Sequence, residues 1–201
     1  FFASGNGLTL TSGCHAGRIL VAAAMGPAEK LNNHAVYSDD GGETWLVSDI
    51  AFQGGDEAKM VELTNGDILM SVRRNGQRGY NISKDGGATW GRQGVWPEMD
   101  TNACNGDIIR VAATDTEQGS NILLHSVPNS PQRRNVSIFC SYDEGKTWSK
   151  SKTICAGPSA YSSLTVLADG TIGIYVEERN SSKGFSLWFM NVSLDWITKI
   201  K

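Results

Sequence analysis

One eight-residue pattern, Ser-x-Asp-x-Gly-x-Thr-Trp, occurs three times in this chain of 201 residues. The copies occupy residues 38–45, 83–90 and 141–148, so they begin 45 and then 58 residues apart. The Ser and Asp side chains can bond nearby backbone amides and close a turn, and the glycine supplies a conformation that other residues resist. The tryptophan is expected to bury its ring beneath that turn. Each copy therefore predicts a hairpin turn, and the spacing is typical of β-propeller blades with insertions.

The segments between the copies alternate in the manner of β-strands. Two alternating runs between residues 59 and 73, for example, flank Asn65-Gly66, which is the strongest short hairpin signal. No segment keeps a helical period over about ten residues or more. Residues 1–201 are therefore predicted to form a single all-β domain of the propeller type with the strands of about four blades.

Composition and residue spacing exclude several classes of function. A formal net charge of -3 provides no basic surface for nucleic acid. No apolar run approaches the roughly 18 residues that would span a membrane. The histidines and cysteines show no metal-ligand spacing, so we expect no metal or other cofactor, and we expect the cysteines to be buried thiols. These residues are His15, His34, His125, Cys14, Cys104, Cys140 and Cys155.

The repeated pattern resembles the Asp-box, and the chain resembles the sialidases, six-bladed β-propellers that remove terminal sialic acid. Asp-boxes also occur in propellers without catalytic activity, so the functional prediction depends on other residues. The resemblance implies an exo-α-sialidase that acts on sialylated glycans with retention of configuration, and it leaves hydrolysis and trans-sialylation both open. The alternative is a non-catalytic Asp-box propeller that binds a glycan or a protein.

Two segments resemble those that carry the family's catalytic pair. Glu57 stands where the family has its catalytic glutamate, with Asp56 as the local rival, and Tyr161 lies in an Ala-Tyr-Ser-x-Leu segment like that of the nucleophilic tyrosine. The carboxylate on the anomeric carbon of sialic acid would repel an Asp or Glu nucleophile, whereas a neutral tyrosine avoids that repulsion. Tyrosine is a weak nucleophile near its ordinary pKa of about 10, so it needs a base, which the resemblance assigns to Glu57.

Two arginines stand where the family binds the substrate carboxylate, a group that a guanidinium fork can hold in two parallel bonds. Arg73 follows the strand predicted at residues 68–72, with Arg74 as its neighbouring alternative. Arg133 precedes the strand that leads into the third Asp-box, with Arg134 as the alternative. The catalytic pair and these two arginines are predicted to converge on one pocket.

The segment that precedes the next predicted strand resembles a loop that lines the family's pocket. Asn105 and Asp107 in this segment are predicted to contact substrate. Two other family features have no match in the chain: a Phe/Tyr-Arg-Ile-Pro motif and the acidic loop that supplies an aspartate acid/base. We therefore expect this chain to be the C-terminal two-thirds of a catalytic domain and to require the missing N-terminal part as a partner. The resemblance implies a secreted, periplasmic or cell-surface protein.

Overall fold

The structure is a computed structural model that describes residues 1–2, 5–111, 121–181 and 184–199. Strands dominate these residues, and the one α-helix among them, α1, covers only Leu194–Thr198. The prediction of an all-β fold is confirmed. The strands are β1 Leu8–Thr9, β2 Ile19–Met25, β3 Asn32–Ser38, β4 Leu46–Val47, β5 Phe52–Gln53, β6 Ala58–Glu62, β7 Ile68–Val72, β8 Asn75–Ser83, β9 Gly94–Asn102, β10 Asp107–Val111, β11 Ile122–Pro128, β12 Arg134–Ser141, β13 Ser149–Val166, β14 Ile172–Ser181 and β15 Gly184–Val192.

The chain forms two compact units, which are described separately. The first comprises residues 1–74 and 78–95, and the second comprises residues 75–77 and 96–201. In the first unit β1, β2, β3 and β4 follow one another in a sheet, β5 also pairs with β3, and β6, β7 and β8 pair in sequence. In the second unit β10 to β15 pair in chain order. Antiparallel strands that neighbour one another in sequence are typical of propeller blades, and the number of blades stays a prediction.

Each unit has a core of aliphatic side chains from alternate strand positions. In the first unit, residues of β2 and β3 such as Leu20 and Ala35 pack with Ile68 and Met70 of β7. The core of the second unit contains the residues Val111, Ile122, Leu124, Ile138, Cys140, Leu164, Ile172, Ile174 and Ile197. The hydrophobic alternation seen in the sequence therefore does determine the inward face of these sheets.

The three Asp-box turns share one hydrogen-bond arrangement. In the third copy the Gly145 N–H donates to Ser141 Oγ (2.9 Å), and the Ser141 hydroxyl donates to Asp143 Oδ1 (2.8 Å). Thr147 donates to the Asp143 carboxylate through its N–H (3.0 Å) and its hydroxyl (2.6 Å). The equivalent bonds recur in the first and second copies. The prediction that the Ser and Asp side chains close the turn is confirmed.

The tryptophans of the Asp-boxes do not share one environment. Trp148 is buried and packs edge-to-face against Trp96 (ring centroids 5.3 Å apart) and His125 (5.6 Å). Trp45 is instead 44% exposed, and its indole N–H donates to the Gly42 carbonyl at the surface of the turn (3.0 Å). The predicted burial is confirmed for Trp148 and wrong for Trp45, because that ring contacts its own turn rather than a neighbouring core.

The cysteines form no disulfide in the described part of the chain, which contains all four. Three of them are buried, but Cys14 is exposed in a short 3-10 helix, Gly13–His15, so its predicted burial is wrong. Among the described residues, no group of three His, Cys, Asp or Glu side chains is placed to hold a metal ion. The same residues include no helix with the length and apolar character needed to span a membrane.

Candidate active site

Glu57 and Arg73 form an ion pair at one end of the β6–β7 hairpin in the first unit. The Arg73 N–H donates to the Glu57 carbonyl (2.8 Å), which extends the strand pairing by one residue beyond each strand. The Arg73 side chain donates through Nη1 to Glu57 Oε2. Both side chains are largely buried, at 18% and 14% exposed, so solvent screens this pair less than it would a surface pair. The structure therefore brings together two residues that the sequence predicted for one site.

Asp56 is the second carboxylate beside Arg73. Its Oδ1 atom lies 3.3 Å from Arg73 Nε and accepts a hydrogen bond from the Glu57 N–H (2.5 Å). Burial raises the pKa of Asp56, and the neighbouring Glu57 charge raises it further, whereas the Glu57 N–H bond and the Arg73 and Arg78 charges oppose this shift. The net effect is a carboxyl group that holds its proton more firmly than an ordinary aspartate.

A β-bulge directs Tyr161 in the second unit. On β13, Ala160 and Tyr161 together stand opposite the single residue Glu177 of β14, because the register shifts between Ser159 and Ser162. The Tyr161 N–H donates to Glu177 Oε2 (3.3 Å), across the bulge. Bulges bend a strand and re-aim a side chain, and they are frequent beside active sites. The local backbone thus departs from regular strand geometry at the residue that the sequence predicts as the nucleophile.

Arg133 lies against Tyr161, with its guanidinium carbon 5.4 Å from the centroid of the phenol ring. Its Nη2 donates to the Ala103 carbonyl (3.0 Å), and its own carbonyl accepts from the Ser159 N–H (3.1 Å), two residues before the tyrosine. A guanidinium at this distance from an aromatic face is attracted by the ring. Arg133 and the neighbouring Arg134 are both exposed, so the contact with the Tyr161 ring is the observation that favours Arg133 as the arginine associated with Tyr161.

Asp107 makes its contacts within the second unit's sheet. It is buried, and its Oδ2 accepts from the Ser163 hydroxyl (2.9 Å) and the Leu164 N–H (2.8 Å). Its Oδ1 accepts from the Ile108 N–H (3.0 Å). These bonds join β10 to β13, and the substrate contact predicted for Asp107 stays a prediction. Asn105, the other predicted contact in this segment, is also buried.

The structure brings the predicted residues together as two pairs, one in each unit. Glu57 and Arg73 belong to the first unit, whereas Arg133 and Tyr161 belong to the second. The convergence of all four on one pocket stays a prediction. Sequence reasoning missed Arg78, a fully buried arginine of β8 whose Nε donates to the Ser71 hydroxyl (2.9 Å). Arginine is almost never fully buried without polar partners, but no sequence pattern signals such a position.

Comparison with known proteins identifies the family. Residues 3–174 match the BNR repeat-like domain. The chain belongs to this family. Over 205 residues it is 34% identical to a sialidase of Micromonospora viridifaciens, covering 98% of this chain and 31% of that protein. A sialidase of Vibrio cholerae is 32% identical over 216 residues, with 89% of this chain and 27% of that protein covered.

Solved structures agree with this assignment. The Hadza microbial sialidase Hz136 superimposes on 98% of this chain and 38% of its own with a TM-score of 0.82 and 27% identity. The intramolecular trans-sialidase of Ruminococcus gnavus, at 24% identity, shares the fold with a TM-score of 0.78 over 97% of this chain and 44% of its own. The sialidase resemblance and the propeller-type fold are confirmed. This BNR repeat-like chain spans about a third of the length of the curated relatives it matches.

Proposed function

We propose that the protein containing this chain is an exo-α-sialidase that releases terminal sialic acid from glycans. The observation that carries the proposal is the placement of the Arg133 guanidinium against Tyr161 at a β-bulge, in a chain whose relatives over nearly its whole length are sialidases. A carbohydrate-binding propeller has no evident need for a cation held against a tyrosine at a distorted strand. Glu57 and Arg73, which form an ion pair, are the other two residues of the predicted catalytic and carboxylate-binding set.

In the proposed reaction the Tyr161 oxygen attacks the anomeric carbon of sialic acid while the bond to the leaving sugar breaks. Glu57 takes the phenol proton as that C–O bond forms, and the leaving oxygen receives a proton from an acid. Water then attacks the anomeric carbon of the tyrosine-bound sugar and gives a proton to the conjugate base of that acid, while the bond to Tyr161 breaks and Glu57 returns the proton to the phenol oxygen. Two inversions give overall retention. The family resemblance assigns the acid to an aspartate outside this sequence.

Arg73 and Arg133 are the proposed ligands of the substrate carboxylate. A guanidinium and a carboxylate form parallel charge-assisted bonds, which orient the sugar as well as bind it. The contact between Arg133 and the Tyr161 ring supports this role, because a carboxylate bound to that arginine would stand close to the phenol. Arg133 would then bind the substrate carboxylate and also contact the tyrosine that supplies the nucleophile.

We further propose that the activity requires more of the domain than this sequence contains. The chain spans about a third of the length of its curated relatives. In addition, β15 ends the strand order of the second unit, and its Leu187 and Phe189 are exposed beside Tyr175 of β14. An exposed apolar face on a terminal strand is a surface that another part of a propeller can cover.

Tyr161→Phe in the full-length protein tests the catalytic proposal. The substitution removes the proposed nucleophilic oxygen and leaves Arg133 in place, so turnover of a fluorogenic α-sialoside should fall by about 10² or more. Binding of a sialic acid analogue, measured by calorimetry, should change by less than about tenfold. Proton NMR of the first product formed by the unsubstituted protein should show the retained anomer.

Tyr175→Phe is the matched control, since it removes a hydroxyl from an exposed tyrosine of the neighbouring strand β14. It should leave turnover unchanged. A Tyr161→Phe protein nearly as active as its parent would refute the nucleophile assignment. Glycan binding without turnover by the unsubstituted full-length protein would favour the non-catalytic propeller instead.

A further inference from the structure

Arg73 meets two carboxylates, and only one of them belongs to the predicted catalytic set. Glu57 contacts Nη1, whereas Asp56 lies at the Nε edge of the same guanidinium. A planar guanidinium that is bound at one nitrogen can still turn about its side-chain bonds. Asp56 Oδ1 lies 3.3 Å from Nε, an ion-pair contact without hydrogen-bond geometry, and the attraction of this second charge favours one orientation of the plane and of its terminal nitrogens.

The backbone around Asp56 is held in place from three directions. Its N–H donates to the Arg73 carbonyl (3.2 Å), and its carbonyl accepts from the side-chain amide of the buried Asn33 (2.5 Å). The preceding Gly55 has no room for a side chain, since a Cβ there would lie 2.2 Å from a Val72 methyl group and 2.3 Å from Asn33 Oδ1. Asp56 therefore projects its carboxylate toward Arg73 from a rigid support rather than from a mobile loop.

Burial raises the pKa of Asp56, even though the charges of Arg73 and Arg78 oppose that shift. A carboxyl group whose pKa is higher in the folded state than in the unfolded state loses stability as the pH rises through the folded value. We therefore expect Asp56→Asn to leave the stability of the fold at neutral pH unchanged or slightly higher.

We propose that Asp56 is a positioning residue that orients the Arg73 guanidinium for the carboxylate of a sialoside. The inference rests on the proposed sialidase function. The Asp56 charge lies beside the Nε edge, Glu57 contacts Nη1, and the orientation of the plane determines how well Arg73 can form a two-bond contact with an incoming carboxylate. Asp56 takes no proton in the reaction, which distinguishes it from the base role assigned to Glu57.

The test compares Asp56→Asn, Asp56→Ala and a control, Asp67→Asn, in the full-length protein. Asp67 lies in the turn at the opposite end of the β6–β7 hairpin, so its substitution removes the same charge from the same hairpin. With a fluorogenic α-sialoside, Asp56→Asn should raise KM about tenfold and Asp56→Ala more, whereas kcat should change by less than about threefold. The melting temperature of Asp56→Asn should equal or exceed that of the parent. Asp67→Asn should leave KM and kcat unchanged.

Three results would overturn the inference. An unchanged KM in both Asp56 variants would show that Arg73 needs no second contact. A fall in kcat at constant KM would place Asp56 in the chemistry instead. A melting temperature that falls in parallel with activity in both variants would show that Asp56 only maintains the fold.

A separate measurement keeps the inference apart from the proposed function. If the unsubstituted full-length protein neither binds nor cleaves any sialoside, the sialidase proposal fails, and the orientation of Arg73 can still be measured by NMR of its ¹⁵N-labelled Nε–H group. Asp56→Asn should lower the order parameter of that N–H bond, measured by ¹⁵N relaxation, while Asp67→Asn should not. Equal order parameters in the parent and Asp56→Asn would contradict the positioning role.

Discussion

Two adjacent arginines provide the sharpest test at the scale of single residues. Both are exposed, but Arg133 contacts the Tyr161 ring and the Ala103 carbonyl, whereas Arg134 begins β12. We expect Arg133→Ala in the full-length protein to weaken binding of a sialic acid analogue by about 1.5–3 kcal/mol, the usual loss for a hydrogen bond to a charged group. Arg134→Ala should change it by less than about 0.5 kcal/mol. Calorimetric titration of both variants measures the difference, and equal losses would show that the assignment of Arg133 is wrong.

Single residues also show what the sequence could not predict. The pairing of Glu57 with Arg73 agrees with the sequence-based set, because both residues directly adjoin strands that form one hairpin. Asp107 was predicted as a substrate contact, but its carboxylate accepts three bonds from β10 and β13. The residue type was compatible with either role. Only the pairing of strands far apart in sequence determines which donors reach the carboxylate.

At the scale of elements, the Asp-box turns are the part of the fold that the sequence predicted in most detail. Their bonds are local, since the Ser, Asp, Gly and Thr of one copy lie within eight residues of chain. The strand β13 is a contrasting case. It is 18 residues long, and its first half pairs with β12 through several register shifts that no hydrophobic alternation indicates. Irregular pairing of this kind depends on the partner strand rather than on local pattern.

The Asp-box bonds predict an acid-sensitive contribution to stability. Burial raises the pKa of Asp143, but the hydrogen bonds from Thr147 and Ser141 outweigh it, so the pKa lies below its ordinary 3.8. A lowered carboxyl pKa stabilises the fold above the ordinary pKa, and this contribution is lost as the pH falls through the folded value. Thr147→Val should therefore cost about 0.5–1.5 kcal/mol at neutral pH, and less in acid.

Thr147→Ser is the matched control for that prediction, because it keeps the hydroxyl that donates to the Asp143 carboxylate. Denaturant unfolding of the full-length protein at neutral and at acid pH would measure both variants. The serine variant should stay close to the parent. A Thr147→Val variant that loses as much stability in acid as at neutral pH would show that its effect comes from packing and not from the carboxylate.

At the scale of the whole molecule, the second unit ends in an exposed apolar surface. Phe189 of β15 stands opposite Tyr175 of β14, with ring centroids 6.5 Å apart, and Leu187 lies on the same face two residues away. All three side chains are exposed. Among the described residues, β15 pairs with no strand beyond β14. A strand with an open edge and an apolar face tends to associate with other chains unless it is covered.

We therefore expect residues 1–201, expressed alone, to aggregate or self-associate and to lack sialidase activity. A propeller protects its sheet edges by closing its ring of blades, and the proposed acid is assigned to sequence outside this chain. Loss of acid catalysis alone commonly costs a factor of about 10²–10⁴ in rate.

The assay measures hydrolysis of a fluorogenic α-sialoside and particle size by light scattering, first for the isolated chain and then after co-expression with the rest of the full-length protein. Addition of that part should restore both a monodisperse particle and turnover. Full activity from the isolated chain would show that residues 1–201 already contain the acid, and that its assignment to another segment is wrong.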